Sequence, residues 1–140
     1  MSARDIYRDG KTLSLIVSTN KCIIHANSNF CEALGMREED LVGKSVVNFR
    51  DACLPVEFYE DNWIGVTTEG VSERFALITS TDNLRLWIKG TSFPILDEDG
   101  NTIAYNGKFI LISRTERQDL IDRINKKYGS AVVDTTRDPA

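Results

Sequence analysis

The sequence predicts an α+β domain built on a five-stranded, antiparallel sheet with short helices on one face and a C-terminal exit helix. Three observations carry this reading. Short β-branched segments separated by turn residues open the chain, helical patterns fill its middle, and three longer strand-like segments precede a last helix. Helices grouped between the second and third strands, rather than after every strand, belong on one sheet face and leave a small cavity beneath them.

Leu13 to Ser18 (LSLIVS) and Cys22 to Ala26 (CIIHA) are the first strands, and Thr19-Asn20-Lys21 between them reads as a tight hairpin. Alternation sets His25 opposite Ile24. Asn27 or Asn29 caps a short helix carrying Phe30, Ala33 and Leu34, which Gly35 ends in the left-handed conformation. REEDLVG forms a second helical turn that stops at Gly43. In the third helix Pro55 occupies the first turn, where a missing N–H costs nothing, and Val56, Tyr59, Trp63 and Val66 share one face before Gly70.

Arg74 to Ser80 and Leu84 to Ile95 flank Asp82-Asn83, a pair that tolerates positive φ, and Asp97 to Gly100 turns the chain into Ile103 to Ile112. Ser113-Arg114-Thr115-Glu116 matches a capping box. The helix it opens has an apolar stripe of Leu120, Ile121, Ile124 and Tyr128, with Asp119–Arg123 and Asp122–Lys126 spaced as ion pairs. The expected division is a flanking segment at 1–11, the domain at 12–114, an exit helix at 115–128 and a frayed tail at 129–140.

Composition narrows the function. The 140 residues carry a net charge of −4, which argues against a general nucleic-acid binder. No apolar run approaches the roughly 18–20 residues of a membrane span, and the N-terminus has no apolar signal region. Cys22, Cys31 and Cys53 are widely spaced and odd in number, which fits reduced thiols in a cytoplasm. Glycines are scattered as turn and cap residues, with no phosphate-cradling loop, and the single His25 has no flanking nucleophile signature. The sequence holds no catalytic constellation.

The order of elements, with IIHANSNFCEALG, EEDLVGK, the helix through Trp63, the strand Leu86-Trp87-Ile88-Lys89, PILDEDG and the closing Ser113 to Arg117, resembles the PAS sensory domain. Within that family it is similar to the PAS domains of bacterial methyl-accepting chemoreceptors and the aerotaxis transducer. Arg50, Pro55 and Trp63 fall on the positions that approach flavin adenine dinucleotide there, whereas Asp51 and Cys53 stand where that pattern has His and Asp. The resemblance implies a signal-transduction module of the chemotaxis or energy-taxis type, with flavin adenine dinucleotide open as a cofactor. It speaks against haem, because the helix that carries the iron ligand in the family has no histidine here.

Arg50, Trp63 and Asn27 are the candidate cofactor-binding residues. Trp63 offers a flat face for stacking, or is core; Arg50 offers a planar donor fork, or is a solvated surface charge. Asn27 donates to a ligand, or caps the following helix. Trp87 is read as core and Cys53 as an unreactive thiol. The expected partners are a second copy, through the exit-helix stripe, and a downstream signalling domain or receptor. The stripe has an alternative cover in its own sheet, and the domain an alternative role as a ligand-free interaction module.

Overall fold

The computed structural model describes residues 12–51, 53–69 and 72–134. The flanking segment at 1–11, the helix stop at Gly70 and the tail beyond 134 lie outside the described residues. Strands β1 (Leu13–Ser18), β2 (Ile23–Ala26), β3 (Ser72–Thr79), β4 (Arg85–Leu96) and β5 (Thr102–Leu111) form one sheet in the order β2-β1-β5-β4-β3. Every neighbouring pair is antiparallel, as the α+β reading expects. Helix α1 (Ser28–Leu34), α2 (Glu38–Leu41), a 3-10 turn (Val46–Phe49) and α3 (Val56–Glu69) lie between β2 and β3; α4 (Arg114–Tyr128) follows β5.

Local chemistry sets these boundaries. Asn27 Oδ1 accepts the Phe30 amide at 2.9 Å, and Gly35 ends α1 at φ 75°. The hairpins turn at Lys21 and Asn83, at φ 71° and 64°. Strand β2 departs from strict alternation: its register against β1 shifts between Ile16 and Val17, which leaves both Ile24 and His25 exposed.

Neighbouring side chains along β3 and β4 serve opposite faces of the sheet. Leu77 lies across from Trp87, and Ile78 across from Leu86. On the front face Ile78, Leu86 and Ile88 pack with Phe30, Leu34 and Val66. On the back face Leu77 and Trp87 pack with Ile112, Leu120, Ile121 and Ile124, so α4 lies across the sheet from α1 and α3. Around the β3 edge, Phe58 at the start of α3 meets Tyr128 edge-to-face at 6.4 Å, and the Tyr128 hydroxyl donates to Asp61 at 2.5 Å.

The exit-helix stripe is therefore covered by its own sheet, with Leu120, Ile121 and Ile124 at most 4% exposed. Burying each such side chain is worth about 2 kcal/mol, so the stripe needs no second copy to satisfy it. The Ser113 hydroxyl accepts the Glu116 amide at 3.3 Å, as a capping box requires. The Glu116 carboxylate instead pairs with Lys89 of β4 at 2.5 Å. The expected ion pairs along α4 are likewise replaced: Asp122 accepts from Gln118, and Arg123 lies over the Phe75 ring.

Beyond Gly129 the described part of the tail folds back along α4 instead of fraying. Asn125 binds it three times, with Nδ2 donating to the Val132 carbonyl and Oδ1 accepting from the Val132 amide and the Ser130 hydroxyl. Asp134 then reaches Arg117 Nε at 2.8 Å, where Arg117 is 1% exposed. A guanidinium so deeply buried needs a counter-charge. Asp134→Asn should cost about 3 kcal/mol in urea unfolding and speed hydrogen exchange at α4 amides; unchanged exchange would show that the strap adds nothing to helix docking.

Candidate functional site

A cavity of about 150 Å³ lies between the front face of the sheet and α3. Helical spacing brings Tyr59, Asn62, Trp63 and Val66 to its roof, and strand alternation brings Ile78, Ile88, Tyr105 and Phe109 to its floor. The 3-10 turn closes one end with Val46 and Phe49, and Arg50 follows directly. Gly107 matters to the floor because a Cβ there would overlap the Phe109 ring. Trp63 stands edge-on to Tyr105 at 5.3 Å, with the Lys21 ammonium 5.3 Å from its indole.

Most polar groups near the cavity are already committed. Asn62 Nδ2 donates to the Phe75 carbonyl at 2.7 Å. The Tyr59 hydroxyl is shared between the Asp51 and Leu77 carbonyls at 2.9 and 3.0 Å, and burial, with Asp51 adding, pushes its pKa up. Arg50 differs. A backbone bridge to Ile78 places it beside β3, and its guanidinium lies 5.1 Å over the Tyr59 ring. Burial pulls its pKa down, against the fields of Tyr59 and Glu60.

Asp51 holds this corner together. It is buried and accepts from the Cys53 amide at 2.8 Å, the Thr79 hydroxyl at 2.7 Å and Arg85 Nε at 2.9 Å. Burial alone would raise its pKa, but these donors outweigh burial and hold the carboxyl below its ordinary value. The loop after the 3-10 turn is thereby pinned to both β3 and β4. Sequence reading found Asp51 only as a departure from a pattern, because Thr79 and Arg85 lie 28 and 34 residues away.

Of the three candidate residues, the fold brings Arg50 and Trp63 together at the cavity and leaves Asn27 out of it. Asn27 Oδ1 accepts from both Phe30 and Ser14 amides, and its Nδ2 donates to the Thr12 carbonyl. Its oxygen has no lone pair left for a ligand, so Asn27 is a cap. His25 lies on the surface 3.2 Å from Glu38. Trp87 sits in the back-face core under α4. Among the described residues, no cluster of His, Cys, Asp and Glu is arranged to hold a metal ion, and no helix is long and apolar enough to cross a membrane.

A family model for the PAS domain matches residues 12–114. The chain belongs to the PAS family. No curated protein matches the sequence closely enough to count as a relative. Among solved structures, the chain is similar to the light-state blue-light photoreceptor aureochrome1 LOV domain, with 14% identity and a TM-score of 0.71 over 87% of this chain and 97% of that one. A light-oxygen-voltage domain studied with a flavin analogue is as similar, at 14% and 0.71 over 84% and 89%. A PAS domain from Colwellia psychrerythraea matches at 15% and 0.66 over 79% and 93%. At these identities the likeness is one of fold.

The Cys53 thiol gives a pH test of the Asp51 corner. Burial, then Asp51, pushes its pKa from 9.0 up to about 11. At pH 8 alkylation should run about a hundredfold slower in the folded chain than in urea, in proportion to thiolate. Asp51→Asn should speed it, because one of the two raising influences is gone; an unchanged rate would leave burial as the whole cause. The raised thiol pKa makes the fold weaken as pH climbs from about 9 toward 11. The lowered Asp51 pKa makes its contribution complete above 3.8 and lost as acid carries the pH down through the folded value.

Proposed function

We propose that this PAS domain is a sensor that holds a compact, largely apolar small molecule between its sheet and α3 and reports occupancy through α4. The observation that carries the reading is the shared backbone of β3 and β4. Ile78 and Ile88 line the cavity, while their neighbours Leu77 and Trp87 support α4 on the other face. A shift of these strands reaches both layers, and a ligand that favours one strand position biases helix docking by its difference in affinity.

Size supports a compact ligand. A cavity of about 150 Å³ lined by aliphatic and aromatic side chains accepts a molecule of benzene size, whereas drug-sized ligands occupy about 300–1,000 Å³. A flavin is a poor match on that ground. Its polar edge also needs several free donors and acceptors, and Tyr59 and Asn62 are engaged with backbone carbonyls. Resemblance of the segment from Asn48 to Trp63 to aerotaxis and chemoreceptor domains supports chemotaxis or energy taxis as the output. A freed α4 stripe would then be the surface offered to a second copy or a downstream domain.

Benzene titrated into the labelled chain and followed by NMR tests the proposal. Cavity amides of β4, β5 and α3 should shift, and α4 amides should change their exchange rate by at least about twofold as docking is biased. Trp63→Ala, which removes part of the roof, should weaken benzene binding about tenfold. Binding with no effect on α4 would refute the relay. No binding at all would favour the ligand-free interaction module, whose cavity is closed by its own side chains.

A further inference from the structure

Resting on the reading that the cavity holds a small molecule, we propose that its ligand is a monocarboxylate with a benzene-sized apolar body, its carboxylate held by Arg50. The cavity lining includes Arg50 and Arg74 and, among the described residues, no Asp or Glu. Such a wall favours anions, and it disfavours cations and zwitterions because an ammonium group would meet two arginines and, among those residues, no carboxylate. Arg74 already donates through Nη1 to the Glu73 carbonyl, at the opposite end of the sheet face from the Arg50–Ile78 bridge.

Arg50 is distinguished by being half-buried at the cavity without a counter-charge, whereas Arg123, which also lies over a ring, is exposed. Arg37 pairs with Glu39 and Asp40, Arg85 with Asp51, and Arg117 with Asp134. Among the described residues Arg50 has no carboxylate partner; its guanidinium meets the face of Tyr59, and Glu60 acts on it only as a nearby field. A chain of net charge −4 has acids to supply, yet the half-buried guanidinium beside the cavity is left without one. Its planar fork matches a carboxylate with two parallel hydrogen bonds. The Lys21 ammonium over Trp63 adds a further positive charge beside the α3 wall.

The test compares benzoate, benzamide and benzene on the intact chain at pH 7, by calorimetry with NMR to locate the site. Benzoate should bind at least about tenfold more tightly than its uncharged isostere benzamide. The ratio should fall to about one in Arg50→Gln and take an intermediate value in Arg50→Lys, which keeps the charge but loses the fork. A ratio near one in the natural chain, or a ratio that survives Arg50→Gln, overturns the carboxylate assignment. Benzene binding with a ratio of one overturns that assignment alone, whereas failure of all three probes at these residues removes the cavity reading with it.

Discussion

Burial of both faces of β3 and β4 is the constraint from which the rest of the molecule follows. Ile78 and Ile88 need cover on the front, and α3 supplies it; Leu77 and Trp87 need cover on the back, and α4 supplies it. A sheet apolar on both sides cannot leave either layer to solvent without exposing large side chains. The same two strands therefore form the floor of the cavity and the bed of the exit helix. The cavity and the exit helix are thus neighbours by construction, separated by one peptide unit of β-strand.

That constraint was visible in the sequence as two uninterrupted apolar runs, Phe75-Ala76-Leu77-Ile78 and Leu86-Trp87-Ile88. A strand with one wet face alternates; these do not, and so they mark a strand covered twice. The sequence expectation placed the stripe of Leu120, Ile121 and Ile124 against a second copy, and it is the packing on Leu77 and Trp87 that covers it instead. Helix caps and turns whose causes are local were legible, unlike the i,i+4 ion pairs of α4. Asn27, Gly35, Asn83 and Ser113 act on partners within a few residues, so the chain order displays both halves of each interaction.

Interactions that close over long separations were not legible. Asn125 with Ser130 and Val132 reads as ordinary polar composition until Gly129 turns the chain, and Arg117 reads as one more surface charge on a helix. Arg50 and Trp63 were found because they sit on motif positions, whereas Asn62 and Phe49, which line the same cavity, carry no signal beyond helix spacing and hydrophobicity. Asn27 was a candidate because a polar amide directly follows an apolar strand, which a cap and a ligand donor share. Only the packing separates a cap from a cavity residue.

Saturation of Asp51 explains why one arginine near the corner is paired and the other is not. Its Oδ1 takes the Cys53 amide, while Oδ2 takes both the Thr79 hydroxyl and Arg85 Nε. With those contacts made, the carboxylate has little capacity left for Arg50, its immediate neighbour in the chain. The backbone of Asp51 is fixed as well, donating to the Leu77 carbonyl at 3.0 Å while its own carbonyl receives Tyr59. Arg50 is thus anchored by a residue that does not neutralise it, and the Tyr59 ring orients its guanidinium without supplying a counter-charge. A cation held in place beside an apolar cavity, with neighbouring Asp51 engaged elsewhere and Glu60 acting on it only as a field, is preorganised for an anion that the described residues do not supply.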